Sequence, residues 1–259
     1  MKYILDCENK QSAIDSLRNL FNCSTDDLIS SLLKIDLDSA YKDIHHSPNY
    51  PPDEFVYKKV RAVLGEPTTP EYICWFHLTR TFAENNFADG ILPLGKALDG
   101  IWEKLLGIFE GTEHYLRLQD LKRTRAINLL YQSKTTNPSL GGPSAMLVRD
   151  VAFGAKSMGN HDYLRLPEIL EDICNGYREK YGLSIHNDVV QALKPCIVKF
   201  KSKYRIDNGC FKAALFYVRN CLNGDPPSVD GNTCFDARGN VIPNEDILSI
   251  EYLKERGQD

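Results

Sequence analysis

Residues 73–94 read Ile-Cys-Trp-Phe-His-Leu-Thr-Arg-Thr-Phe-Ala-Glu-Asn-Asn-Phe-Ala-Asp-Gly-Ile-Leu-Pro-Leu, and this stretch decides the fold. Its apolar beginning predicts a β-strand that ends at His77, Thr79 and Arg80. A short amphipathic helix is predicted over 81–88, after which Gly90 turns the chain. The layout puts an imidazole, a hydroxyl and a guanidinium at the end of a strand, where a small anionic ligand could bind.

The composition is that of a globular protein with a substantial core. Of the 259 residues, 42% are hydrophobic and 25% are charged, which is ordinary for folded domains. No apolar run approaches the roughly 18 residues that a membrane span needs. The first eight residues already include acidic side chains, unlike a signal peptide. We therefore expect a cytoplasmic protein that does not contact a membrane.

The eight cysteines are scattered along the chain and no Cys-x-x-Cys pair occurs. A structural zinc site is therefore not expected, and we predict that no metal is bound. In a reducing compartment the thiols would stay unpaired.

The distribution of apolar and breaker residues predicts a helical region over 1–70 and a main domain over 71–259. Within the main domain, short apolar runs predict strands and periodic segments predict helices. This mixed order favours an α+β fold over a regular βαβ array. The predicted strands are 72–78, 144–152, 195–202, 232–236 and 247–253. The predicted helices are 81–88, 96–109, 115–131, 165–181 and 209–222.

Several common catalytic and nucleotide-binding motifs are missing from the sequence. There is no Gly-x-Gly-x-x-Gly, no Gly-x-x-x-x-Gly-Lys-Ser/Thr, no Gly-x-Ser-x-Gly and no His-Glu-x-x-His. These absences argue against a Rossmann dinucleotide site, a P-loop, a serine-hydrolase elbow and a zinc protease.

Positive charge is concentrated in two parts of the chain. Residues 114–165 and 194–212 together contain fourteen Lys or Arg against four Asp, whereas the whole chain has a net charge of −4. Such separation is a hint of a phosphate-binding surface. Lys122, Arg123 and Arg125 are the candidate nucleic-acid-binding residues, and the alternative is that they only form a solvated helix face.

The stretch 73–94 resembles the opening motif of the ADP-ribosyltransferase-like superfamily, above all that of DNA-targeting toxins. The similar features are Phe76-His77-Leu78-Thr79, then Asn85-Asn86-Phe87, then Gly90-Ile91. RNA 2′-phosphotransferases share this layout. A second, weaker similarity covers Thr233-Cys234-Phe235-Asp236 and the segment 241–251, which resemble the paired last strands of these enzymes. The resemblance implies a split β-sheet core behind the N-terminal helical region.

The resemblance also implies roles for the residues at the strand end. The family cleaves the nicotinamide–ribose bond of NAD, its co-substrate, through an oxocarbenium-like state that fixed negative charge stabilises. His77 would bond a ribose hydroxyl of the adenosine half, and Thr79 would line the nicotinamide pocket. Arg80 would pair with the pyrophosphate or activate the acceptor. The structural alternative for His77 is a histidine that closes the strand and bonds a backbone group.

Two further members of the family pattern fit less well. Tyr163 could stack on nicotinamide, or it could be an aromatic staple at the start of the 165–181 helix. The glutamate expected near the penultimate strand is missing. Asp236 or Asp230 could replace it, as could Glu245 or Glu251 brought in from further along the chain.

Three functions follow as expectations. The first is a mono-ADP-ribosyltransferase of the toxin or defence type with a macromolecular acceptor, for which the basic stretches favour a nucleic acid. An antitoxin or another inhibitory protein would then be a partner. The second is an RNA 2′-phosphotransferase-like enzyme in which Arg80, Arg149 and Arg165 hold a phosphate. The third, which the missing glutamate favours, is an inactive module that binds NAD or ADP-ribose.

Overall fold

The structure is a computed structural model that describes residues 3–42, 49–82, 85–124, 127–137, 141–155 and 158–254. It is a mixed helix-and-sheet protein, so the predicted α+β class is confirmed. The strands are β1 (Ile4–Leu5), β2 (Tyr72–Thr81), β3 (Ser144–Met146), β4 (Lys194–Ser202), β5 (Cys234–Asp236) and β6 (Ile247–Tyr252). The helices are α1 (Lys10–Leu20), α2 (Thr25–Leu33), α3 (Leu37–Lys42), α4 (Pro52–Leu64), α5 (Leu94–Ile108), α6 (Glu113–Thr124), α7 (Leu129–Thr136), α8 (Glu168–Tyr181), α9 (His186–Ala192) and α10 (Asn208–Asn223).

The strands follow the order β5-β3-β2-β4-β6, and β1 pairs parallel with β2. Strand β3 runs antiparallel to β2, with Phe76 opposite Met146. Short 3-10 turns lie at Arg149–Phe153, Val229–Gly231 and Asn244–Asp246. Ile73 to Phe76 in β2 are buried, and further along the strand the partly exposed residues are His77, Thr79 and Arg80. Polar side chains on β2 are therefore concentrated where the strand leaves the core.

The chain divides into two compact units, and the division differs from the predicted boundary between residues 70 and 71. Unit 1 comprises Met1–Phe76, Ala145–Asn160 and Phe200–Phe235. Unit 2 comprises His77–Ser144, His161–Lys199 and Asp236–Asp259. The predicted helical region 1–70 thus belongs to a unit that also includes later segments, because α10 packs against α1, α2 and α4.

Unit 1 is organised around α10. The ring of Phe211 on this helix packs edge-on against that of Phe21, with 6.4 Å between the ring centroids. It also stacks on the ring of Tyr57, at a centroid distance of 6.5 Å. Lys212 forms an ion pair with Glu54 of α4. Most of the helix is buried, so its apolar residues supply the shared core for α1, α2 and α4. Burying such side chains contributes roughly 1.5–3 kcal/mol each.

Unit 2 contains a helical layer, α5 to α9, around one apolar cluster. Trp102, Leu105, Ile173, Tyr177 and Leu193 are among its buried members. The indole of Trp102 donates a hydrogen bond of 3.0 Å to the hydroxyl of Tyr131, which satisfies the buried N–H. Phe82, just after β2, packs against the same cluster.

Most predicted elements of the main domain are confirmed to within a few residues, but three are not. The helix predicted over 81–88 is wrong over its described residues, because Thr81 ends β2 and 85–88 are not helical. The helix predicted over 115–131 is two helices, α6 and α7. Asn128 accepts a hydrogen bond from the Tyr131 backbone N–H and caps the second one. The strand predicted over 144–152 ends at Met146.

Among the described residues, no helix is long and apolar enough to cross a bilayer. The described part of the chain also contains no group of three or more His, Cys, Asp or Glu side chains that could hold a metal ion.

Candidate functional site

The candidate site lies in unit 2, on one face of the carboxyl end of β2. Side chains alternate between the two faces of a strand, so His77, Thr79 and Thr81 share one face. Arg80 and Phe82 point to the other face, which the apolar cluster of helices α5 to α9 covers. We call the first of these the His77–Thr79 face.

His77 is partly buried and its ring is fixed by a backbone group. Its Nδ1 lies 2.7 Å from the carbonyl oxygen of Ser144. A carbonyl can only accept, so Nδ1 carries the proton. Burial lowers the pKa of His77, and the bond to Ser144 opposes this effect only in part. The imidazole is therefore neutral near pH 7, and its Nε2 is an acceptor with no partner among the described residues.

The turn after β2 is built by side chains that bond to their own backbone. The Asn85 side chain accepts from the Phe87 N–H at 2.8 Å, and the Asn86 side chain accepts from the Ala88 N–H at 3.1 Å. Such Asx turns compete with helix formation, and Phe87 takes a positive φ of 50°. This local competition explains why the predicted helix does not form.

The two segments of unit 2 that resemble the superfamily meet at this turn. Ile91 and Ile242 form an antiparallel bridge, with backbone hydrogen bonds of 2.8 and 3.1 Å. The Asn244 side chain donates to the carbonyl of Phe87 at 2.9 Å. The hydroxyl of Tyr252 in β6 bonds Asn85. Residues 85–91 are thus attached to the segment 242–252, more than 150 residues later in the chain.

Gly90 is required by the closeness of this contact. Its φ is +79°, and a Cβ there would lie 2.1 Å from the carbonyl oxygen of Ile242. Any other residue would have to push the two segments apart as well as adopt a strained backbone.

Arg80, the first predicted catalytic residue, binds backbone instead of facing the His77–Thr79 face. Its guanidinium donates to the carbonyl oxygens of Leu164, Val190 and Leu193 at 2.9, 2.8 and 2.5 Å. These bonds attach the end of β2 to the loop before α8 and to the end of α9. Arg80 thus connects backbone segments of unit 2.

Asp236, the second predicted catalytic residue, ends β5. The bond from the Ala237 N–H to the Pro143 carbonyl (2.9 Å) puts Asp236 opposite Ser144 in β3. One carboxylate oxygen accepts from the Arg238 N–H at 2.8 Å, as in a turn.

The sheet register separates Asp236 from His77. The pairing of β3 with β2 puts Ser144 opposite Leu78. Facing residues of paired strands project to the same side of a sheet, so Asp236 and Leu78 share one face. His77 and Thr79 take the other. The structure does not bring Asp236 to the site that His77 would form.

The other acids named from the sequence are placed as follows. Glu251 precedes Tyr252 in β6, and since Tyr252 reaches Thr81, Glu251 projects away from the His77–Thr79 face. Glu245 is exposed in the turn Asn244–Asp246. Asp230 lies in unit 1, where burial and then the nearby Asp53 raise its pKa.

Tyr163 belongs to a polar network at the start of α8. Its hydroxyl donates a hydrogen bond of 2.7 Å to the Glu168 carboxylate. Its ring packs edge-on against that of His161, with 4.7 Å between the ring centroids. Lys134 lies 2.8 Å from both Glu168 and the buried Asp172. Burial opposes the charge on Lys134, but its bonds to the two carboxylates outweigh this and raise its pKa. Tyr163 is thus bonded to the first residue of α8.

The predicted nucleic-acid-binding residues lie on and after α6. Arg123 donates to Asp120 at 2.7 Å, and Lys180 and Tyr181 bond the same carboxylate. Hydrogen bonds from Lys180, Tyr181 and Arg123 hold the pKa of Asp120 far below its usual range. Lys122 lines an open groove of about 770 Å³. Arg125 lies outside the described residues.

Two contributors to the site were missed from the sequence, Tyr252 and Asn244. Both lie in or beside the segment whose similarity to the superfamily was noted, but neither was a candidate residue. Their chemistry gave no local signal, because each acts through a contact with a residue about 160 positions earlier. Compared with known proteins, the chain matches no family model, no curated protein and no solved structure.

Replacing Gly90 by Ala should destabilise the protein by more than about 1 kcal/mol, since steric overlap with Ile242 is added to backbone strain. Gly111→Ala is the matched control. Its φ is +78° but a Cβ there meets nothing within 4 Å. Chemical denaturation measures the free energy of unfolding of both variants. Equal losses of stability would show that the overlap with Ile242 adds no destabilisation.

Any ligand that donates a hydrogen bond to His77 should bind equally well at neutral and mildly acidic pH. Its affinity should fall only below the usual value of 6.5, because burial lowers the pKa of His77 and protonation removes the acceptor at Nε2. Stability should fall in the same direction, as the unfolded chain takes up the proton first. Imidazole NMR titration locates the pKa, and a value above 6.5 would contradict the prediction.

Proposed function

We propose that this chain has an ADP-ribosyltransferase-like fold, binds NAD at the His77–Thr79 face and transfers ADP-ribose to a macromolecular acceptor. The observation that carries the proposal is the meeting of the turn 85–91 with the segment 242–252. The turn lies in the stretch that resembles the superfamily, and residues 241–251 carry the second, weaker similarity. A chance resemblance would not require them to be in contact.

The chemistry of His77 suits a ribose. Its neutral ring offers Nε2 as an acceptor, and the hydroxyls of a sugar are donors. Thr79 lies two residues further along the same face and offers a hydroxyl to the rest of the ligand. In the transferase reaction the bond between nicotinamide and ribose breaks as an oxocarbenium-like ribose forms. The nicotinamide leaves with the bonding electrons, and the acceptor atom then bonds to the ribose carbon and releases its proton to water.

A second function, NAD or ADP-ribose binding without turnover, is favoured by one specific observation. An oxocarbenium-like state needs fixed negative charge close to the sugar. The strand register turns Asp236 and Glu251 away from the His77–Thr79 face. The RNA 2′-phosphotransferase alternative gains no such support, since Arg80, which it needs for a phosphate, binds carbonyl oxygens.

Calorimetric titration with NAD and NADP, together with detection of free nicotinamide, tests the proposal. NAD should bind the full chain, and NADP should bind about 5-fold or more weakly because its ribose phosphate replaces a donor hydroxyl by acceptors. His77→Ala should weaken NAD binding about 5- to 100-fold without changing the melting temperature by more than a few degrees. His186→Ala, in the same unit, is the control and should bind NAD normally.

The outcomes separate the candidate functions. Binding with nicotinamide release supports the transferase, and binding without release supports the inactive module. If NAD does not bind, or if His77→Ala binds as tightly as the unchanged chain, the assignment of this face is wrong.

If the acceptor is a nucleic acid, Lys122→Glu with Arg123→Glu should reduce its labelling and weaken the salt dependence, since each phosphate contact releases about one counterion. NAD binding should not change. Lys34→Glu with Lys59→Glu reverses the same charge at exposed positions in unit 1 and is the control. If labelling changes neither with salt concentration nor with the charge reversal at Lys122 and Arg123, the result would indicate a protein acceptor.

A further inference from the structure

Tyr252, at the end of β6, makes a concentrated set of contacts with the turn after β2. Its hydroxyl oxygen lies 2.8 Å from the backbone nitrogen of Asn85 and 3.0 Å from the Asn85 carbonyl oxygen. The hydroxyl of Thr81 lies 3.3 Å away. One phenolic oxygen thus bonds both backbone groups of a single residue in the turn.

The donors and acceptors of this group are fully matched. The Asn85 N–H donates to the phenolic oxygen, and the phenolic O–H donates to the Asn85 carbonyl. The Thr81 hydroxyl completes the set as a second donor. Asn85 is held here through its backbone, so its side chain remains available to form the turn with Phe87.

The contact lies on the side of β2 that matters for the proposed ligand. Thr81 is four residues after His77 and two after Thr79, so the three side chains share one face. Tyr252 reaches Thr81 and therefore fixes the start of the turn 85–91 beside the His77–Thr79 face. The other end of the turn is fixed separately, by the Ile91–Ile242 bridge and by Asn244.

We infer that Tyr252 is a positioning residue, whose hydroxyl holds the turn 85–91 in the arrangement in which the His77–Thr79 face binds its ligand. This inference rests on the proposed function for the identity of that ligand, NAD. Tyr252 has no chemical role in the inference and acts only through Asn85. Its loss should therefore weaken the binding of NAD and raise the apparent KM for NAD, while kcat at saturating NAD stays the same.

Tyr252→Phe is the sharpest test because it removes one oxygen atom and keeps the ring. Tyr252 and Asn85 are only partly buried, so water can replace the lost partner and the fold is retained. We expect faster hydrogen exchange at the Asn85 amide and an NAD dissociation constant raised about tenfold, consistent with the loss of about 1.4 kcal/mol. Tyr204→Phe, an exposed tyrosine of unit 1, is the matched control and should change neither quantity.

Two independent readouts keep this inference distinct from the proposed function. Exchange at Asn85 is measured without ligand, so it reports the hold of Tyr252 on the turn even if NAD does not bind. If the unchanged chain binds NAD and Tyr252→Phe binds it equally tightly, the positioning role is overturned. Unchanged exchange at Asn85 overturns it as well. If neither the unchanged chain nor Tyr204→Phe binds NAD, the proposed function is wrong. The positioning role of Tyr252 for that ligand is then wrong as well.

Discussion

The hydrogen bond between Nδ1 of His77 and the carbonyl oxygen of Ser144 is the interaction on which the candidate site depends. A carbonyl has no proton to give, so this contact fixes the tautomer, and the ring presents an acceptor at its other nitrogen. Burial acts in the same direction because it disfavours the charged ring. The His77 ring therefore offers a neutral acceptor, which matches the sugar hydroxyl donors of the proposed ligand.

The alternation of side chains along β2 divides its carboxyl end into two functions. On one face, Arg80 bonds three carbonyl groups and joins the helical part of unit 2. On the other lie His77 and Thr79, the residues to which we assign the proposed ligand. The same alternation places Asp236 and Glu251 on the side away from His77. The proposed binding and the proposed catalysis thus have different support, since the two residues assigned to the ligand share a face and the two acids do not lie on it.

Local patterns in the sequence predicted most of the elements. The buried runs predicted β2 and β4, and the apolar periodicity predicted α8 and α10 to within three residues. The first error, at 81–88, came from Asn85 and Asn86, whose side chains capture backbone N–H groups that a helix would use. The sequence also predicted that Arg80 lies at the strand end, but it did not indicate on which face of β2. That face determines that the guanidinium bonds carbonyl groups.

Contacts between distant parts of the chain could not be predicted in the same way. Tyr252 and Asn244 bond Asn85 and Phe87 across about 160 residues, and no property of either side chain in its local sequence indicates the partner. Gly90 shows such a contact indirectly, because a Cβ there would overlap the carbonyl of Ile242. Gly90 is therefore informative through this close approach, not through its positive φ alone. It marks the place where a second segment must arrive, and here that segment completes the turn beside the candidate site.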